Sequence, residues 1–373
     1  MSLSESTVIM FELHVLGTSS ARFSHDRAVS GSFVMTPGGA VLVDCGEGMQ
    51  KRLLDQNQAL KKSGLQIRSR MAKVRAILFT HGHLDHCWGL LPMLHTMSLD
   101  GRTEPLTIIA PTSQKAVAWA LKNPGDSPYA ESGVDSTDLA ILFQQWQSLG
   151  SKDDDFGFKI DWVLLPIEQK SPFTSPIQPL DNVELMVVPT EHGIPSCGWQ
   201  ITSNQTKGKF DRAKADSLSL TTEQVGALAG GENITTESGQ LLAKDFRGKE
   251  KPRRSLLISG DTTGDVQAFG ELETPPDLLL HESTFLEHKS EKARMYNHST
   301  THDAARHAEV SGSQVLALTH YSSSVDDILV VQNEAQELHK RSIACNDGDV
   351  FTIYRNGEIT VHRRCEDWKN YSL

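Results

Sequence analysis

Between residues 11 and 48 the chain alternates apolar and polar positions around strong turn formers: FELHVLGT, then GSFVMT, a Pro-Gly-Gly turn, and AVLVDCGEG. A period of two bounded by such residues predicts strands joined by tight turns. At residue 47 the spacing changes. EGMQKRLLDQNQALKK places its apolar residues three and four apart and predicts a helix over 47–62. VRAILFTHG (74–82) and LTIIAPT (106–112) are short runs rich in β-branched residues, of the kind found in strands buried on both faces, and helix-like segments follow each. The first third therefore reads as α/β.

The second half repeats the idea. NVELMVVPTEHG, RRSLLISGDT, DLLLHEST and SQVLALTHYSS are each an apolar run ending in a polar cluster. Four strands that each deliver a polar group at their C-terminal end predict one site along one edge of the sheets. The stretch DGDVFTIYRNGEITVHRR closes the chain as a hairpin. Two regions break the pattern within an otherwise single domain over 1–373. Residues 122–180 are polar and rich in Pro and Gly, and predict irregular loops around one amphipathic helix, LAILFQQWQSL. Residues 203–254 form a long polar excursion with a basic start (Lys207, Lys209, Arg212, Lys214) and a basic end (Lys244, Arg247, Lys249, Lys251, Arg253, Arg254), a candidate substrate-binding arm.

Composition narrows the class. With 38% hydrophobic and 22% charged residues in 373, the chain is an ordinary globular protein. No window approaches the roughly 18 apolar residues of a membrane span, and no basic stretch followed by an apolar core opens the chain. The sequence predicts a cytoplasmic protein with no membrane partner. Five scattered cysteines without a CxxC pair suggest neither a disulfide framework nor a thiolate metal site. A net charge of −11 argues against a broad nucleic-acid-binding face, although not against a local basic patch.

The candidate chemistry lies in AILFTHGHLDHCWGLLPML. His81, His83, Asp85 and His86 crowd into six positions at the end of a predicted strand. Residues 81 and 83 project the same way, while the turn carries Asp85 and His86 elsewhere, so one loop serves two neighbouring metal positions. Imidazole and carboxylate without thiolate suit zinc, with manganese or iron as alternatives. The competing view, that each histidine is a satisfied polar residue at a strand end, fits one such residue far better than four.

The spacing HxHxDH resembles the signature of the metallo-β-lactamase superfamily, which implies an αββα sandwich of two mixed β-sheets flanked by helices. It also implies further ligands downstream. His192 in PTEHGIPSCGWQI, Asp261 in ISGDTTGD and His320 in LTHYSS stand where that pattern places them. By resemblance, His81, His83 and His192 hold one Zn2+, Asp85, His86 and His320 hold a second, and Asp261 bridges them. Two such ions activate water and clamp an anionic phosphoryl group, so the implied chemistry is hydrolysis.

Within the superfamily the chain resembles RNase Z, the tRNA 3′-end endonuclease. LGTSS, DCGEGMQKRLL, HGHLDHCWGLLPML, EHGIPSCGWQI, SGDT, LLLHESTF and HSTTHDAARHA are similar to that family's blocks in the same order. The resemblance implies a metal-dependent endoribonuclease that removes the 3′ trailer of precursor tRNA, and a homodimer. It assigns His298 in HST to the scissile phosphate, Glu282 in HEST to orienting that histidine, and Asp85 to accepting a proton besides holding metal. The chain departs from the family in two places. Its ARFSHDRAVSGS loop has Arg27 followed by Ala28 where the family has Arg-Asn, and LSLTTEQVGALAGGENI lacks the proline of the family arm. The alternatives are a phosphodiesterase on small or cyclic nucleotide diesters using the same site, another hydrolase of the fold, and a non-catalytic nucleic-acid-binding subunit. A scaffold has no use for all seven ligands.

Overall fold

Phe11, Leu13 and Val15 alternate with Glu12 and His14 along the first strand, and the alternation sorts them. The three hydrophobics enter a core shared with an opposing sheet, because successive side chains of a strand point to opposite faces. The computed structural model describes residues 8–24, 26–149, 156–205, 208–364 and 368–373; His25, Lys207 and Cys365 lie outside them.

The strands in chain order are β1 (Ile9–Gly17), β2 (Gly31–Thr36), β3 (Gly39–Val43), β4 (Val74–Leu78), β5 (Leu106–Thr112), β6 (Ile160–Pro166), β7 (Phe173–Thr174), β8 (Val183–Pro189) and β9 (Cys197–Ser203). Then come β10 (Ile234–Thr236), β11 (Gly239–Leu241), β12 (Ser255–Ile258), β13 (Leu278–Glu282), β14 (Val315–Thr319), β15 (Ser342–Ala344), β16 (Val350–Tyr354), β17 (Ile359–Arg364) and β18 (Trp368–Ser372). One sheet has the order β18-β17-β16-β1-β2-β3-β4-β5-β6 and another β15-β14-β13-β12-β9-β8-β7. Both are mixed: β3 to β6 pair in parallel in the first and β12 to β15 in the second, with the other neighbours antiparallel.

Between the sheets, Phe11, Val41, Leu78 and Ile109 meet Leu185, Trp199, Leu256, Leu278 and Val315. The outer face of the first sheet packs Leu42, Ile77 and Ile108 against helices Met49–Lys62 and Leu90–Leu99. That of the second packs Leu257, Leu279 and Leu316 against helices Thr301–Val310 and Ile328–Ala335. Helix, sheet, sheet, helix is the four-layer sandwich expected. At about 25 cal/mol per Å² of apolar surface removed from water, three continuous clusters of this kind dominate stability. Among the described residues, no helix is long and apolar enough to cross a membrane.

The region 122–180 corrects the sequence reading. The amphipathic helix forms as Leu139–Ser148, but the stretch expected as loop contains β6, which pairs in parallel with β5 from Leu106↔Ile160 to Thr112↔Pro166. As the last strand of its sheet, β6 is mostly half-buried, so its sequence shows neither clean alternation nor a fully apolar run.

Residues 204–253 form a separate compact unit. Ala215, Val225, Leu228, Ala243 and Phe246 give it a small core of its own. Helix Arg212–Ser217 is capped by Asp211, and helix Thr222–Gly230 by a Thr221/Gln224 capping box. The β10–β11 hairpin follows. Arg254, read from sequence as part of the basic stretch, belongs instead to the larger unit. It is buried, and its Nη1 donates to Asp277 at 2.7 Å.

Topology decides where the site falls. Because β8 and β12 are both antiparallel to β9, and β12 to β14 are mutually parallel, β8, β12, β13 and β14 all run the same way. Their C-terminal ends therefore reach one edge, carrying His192, Asp261, Glu282 and His320. The end of β4 joins this edge: Cys197 N–H donates to the Thr80 carbonyl at 2.9 Å and the Trp199 indole to the Phe79 carbonyl at 2.8 Å.

Candidate metal centre

The strand β4 stops at Leu78, and the chain then turns through Gly82 into the single helical turn Leu84–Cys87. Gly82 is required there, since a Cβ would lie 1.8 Å from the Thr137 carbonyl oxygen. His81 and His86 are fully buried, and His83 and Asp85 reach the rim.

Two sets of three donor atoms result. His83 Nδ1 lies 3.1 Å from His81 Nε2 and 3.0 Å from His192 Nε2. His320 Nε2 lies 3.3 Å from His86 Nε2 and 3.4 Å from Asp85 Oδ2. Asp261 Oδ2 stands between the sets, 3.8 Å from His81, 3.6 Å from His192 and 3.4 Å from both His86 and His320. The seven residues singled out from sequence thus meet in one place.

The other face of each ring tests whether this set suits a cation. His86 Nδ1 donates to Asp44 Oδ2 at 2.7 Å. The Thr80 hydroxyl donates to Asp44 Oδ2 at 2.8 Å and so accepts from His81 Nδ1 at 3.0 Å. The Thr284 hydroxyl donates to Glu282 Oε2 at 2.6 Å and so accepts from His320 Nδ1 at 3.0 Å. His192 Nδ1 donates to the Asn297 carbonyl at 2.7 Å. All four rings thereby keep a proton on Nδ1 and turn Nε2 inward, the arrangement that metal-ligating histidines take. The inward-turned nitrogens of His81 and His192 both meet His83 Nδ1 in a largely buried space, where one proton cannot serve them all and a cation can. The donor set fits divalent metal.

Electrostatics agree. Burial pushes His192 down to about 4 and lowers His81 and His83, leaving neutral imidazoles. Burial works against ionisation of Asp261, yet His320 and His86 beside it hold its carboxyl well below the usual range. Asp85 is lowered in the same way by His86 and His320, against its own burial. His86 is raised, because Asp261, Asp44 and Asp85 outweigh the desolvation that would neutralise it. In a protein without metal a proton answers the surplus of carboxylates, and a divalent ion replaces that proton.

Beside these donors stands a second arrangement. His298 Nδ1 is 2.9 Å from Glu282 Oε1 and 3.8 Å from Asp261 Oδ2. Glu282 is fully buried and also accepts from the backbone N–H groups of Thr262, Ser299 and Thr284, at 3.0, 3.1 and 3.1 Å. Burial would raise its pKa, but His298 brings it down to about 2. Burial likewise opposes a charge on His298, and Glu282 nevertheless raises it to about 9.

Asp44, Thr80, Thr284 and Asn297 were not assigned roles from sequence. Asp44 ends the apolar run AVLVD, which was a usable signal, and Thr284 closes the HEST block. Nothing local to Thr80 or Asn297 marks them, because their partners are more than a hundred residues away or lie on a neighbouring ring.

Residues 11–145 match the model of a family described as Anti-Pycsar protein Apyc1. The chain is 30% identical over 319 residues to ribonuclease Z of Myxococcus xanthus, covering 85% of this chain and 89% of that one. Ribonuclease Z of Halobacterium salinarum is 29% identical over 314 residues, covering 84% and 87%. Among solved structures, the short form of human tRNase Z superposes with a TM-score of 0.55 at 20% identity, covering 91% of this chain and 98% of that one. A long-form RNase Z from yeast gives 0.58 at 16% identity, covering 95% and 43%. The structural likenesses establish the fold, and the sequence likeness across most of both chains, together with the convergent donor set, establishes that the chain belongs to the ribonuclease Z family.

Proposed function

We propose that the chain is a dizinc endoribonuclease that hydrolyses a phosphodiester of precursor tRNA to release its 3′ trailer. The observation that carries this reading is the His298–Glu282 pair, 2.9 Å apart, set beside seven converging metal donors. His81, His83 and His192 would hold one ion and Asp85, His86 and His320 the other, with the Asp261 carboxylate within reach of both sets. Zinc fits this all-imidazole and carboxylate set, with Mn2+ or Fe as substitutes. When bound, the ions activate water at neutral pH and neutralise the phosphate's charge.

The chain's own residues do the rest. Asp85, with its Oδ2 fixed by the Ala21 N–H at 2.8 Å, takes the proton of the attacking water. His298, kept protonated by Glu282, stabilises the developing phosphorane charge and gives its proton to the leaving 3′ oxygen. The P–O3′ bond breaks, leaving a 3′ hydroxyl on the tRNA and a 5′ phosphate on the trailer. The unit 204–253 is proposed as the arm that holds RNA through the exposed Lys209, Arg212, Lys214, Lys244 and Lys249, and the active molecule as a homodimer.

The test is cleavage of precursor tRNA by zinc-loaded protein beside bis(p-nitrophenyl) phosphate, with product ends mapped. Single cleavage near the discriminator nucleotide with a 3′ hydroxyl is expected. Turnover of the small diester with none of the tRNA would overturn the assignment.

A further inference from the structure

Asn297 has a backbone φ of +53°, in the left-handed region that asparagine tolerates and β-branched residues do not. This conformation turns one peptide unit toward two functional histidines. At its oxygen end, the Asn297 carbonyl accepts the Nδ1 proton of His192 at 2.7 Å. At its nitrogen end, the His298 N–H donates to the Ala293 carbonyl at 2.9 Å, tying the unit to the helix Ser290–Met295. His298 then presents its ring to Glu282. A second feature holds the unit in place. Gly193 has φ +79°, and a Cβ added to it would lie 2.9 Å from Asn297 Nδ2, so the turn after His192 leaves room for the Asn297 side chain.

We infer that Asn297 is a positioning residue whose left-handed backbone sets His192 for metal and His298 for the scissile phosphate through the same peptide. Rotating that peptide out of the left-handed region withdraws the acceptor that fixes the His192 tautomer and swings His298 away from Glu282. Metal affinity and proton transfer are then lost together, although Asn297 is none of the seven candidate donors.

The inference rests on the proposed roles of His192 and His298, and its test does not use tRNA. Asn297→Gly, which accepts positive φ without strain, is compared with Asn297→Val and with Asn297→Ala, the milder variant should valine prevent folding. Zinc retention is read by competition with a chromophoric chelator, and turnover with bis(p-nitrophenyl) phosphate. Asn297→Gly is expected to stay within about threefold of the parent in both. Asn297→Val should lose about 10- to 100-fold in zinc affinity, the usual effect of losing a partner behind a ligand, and should lose kcat more than KM. A folded Asn297→Val with unchanged zinc retention and kcat overturns the inference, as does Asn297→Gly failing as badly as Asn297→Val. Parent protein that binds no zinc refutes the metal assignment and this inference with it.

Discussion

His281 and His307 form a pair that the proposed reaction does not use. His281 Nε2 accepts from His307 Nδ1 at 2.8 Å, and His281 Nδ1 donates to the Glu282 carbonyl at 2.7 Å. The His307 ring stacks on Phe269 with centroids 4.3 Å apart and planes 14° from parallel. Both histidines are buried, and burial pushes His307 down to about 3 and also lowers His281. The folded chain therefore refuses a proton that the unfolded chain accepts below its ordinary pKa of 6.5. Stability from this group is complete above 6.5 and is lost as pH falls toward 3. From pH 8 to pH 5 the loss is the 1.5 units between 6.5 and 5, or about 2 kcal/mol for His307 alone. His307→Asn keeps a donor near the Nδ1 position and cannot titrate. Urea unfolding at both pH values, with zinc loading matched, should show the parent losing about 2 kcal/mol more than the variant. The difference between the two pH dependences cancels the buried histidines that do not touch His307. Equal pH dependence in parent and variant would show that His307 is not held neutral by the fold.

Three further outcomes follow from the site. His298→Ala should keep its metals by elemental analysis and lose about 10² to 10⁴ in kcat, the contribution of a positioned acid; unchanged turnover would remove His298 from the mechanism. Asp85→Ala should lose metal and turnover together, so full metal content in that variant would contradict its place in the donor set. Deleting residues 215–245, which removes Lys244 and most of the small core that holds the other basic residues in place, should raise KM for precursor tRNA and flatten its salt dependence while sparing bis(p-nitrophenyl) phosphate, because phosphate contacts release counterions. Equal loss on both substrates would assign the unit a purely structural role.

The sequence by itself determined the strands that carry the site and the residues at their ends. The runs before Asp261, Glu282 and His320 are buried strands with a parallel neighbour, the run before His192 is an antiparallel strand with alternating burial, and in each the apolar composition is dictated locally; HxHxDH is dense enough to be legible without a fold. Tertiary structure decided what those residues face. That β8, β12, β13 and β14 run the same way follows from pairing partners far apart in the chain. The tautomers of four histidines depend on Asp44, Thr80, Thr284 and Asn297, chosen by packing rather than by spacing. The strand β6 escaped sequence reading because an edge strand is only half-buried and needs no strict pattern. Arg254 looked like one more basic residue of an exposed stretch until Asp277, brought to it by the β12–β13 pairing, enclosed it. Local periodicity records burial, which each residue senses through its own surface. Partnership between distant polar groups leaves no such trace, because it depends on which strands the fold makes neighbours.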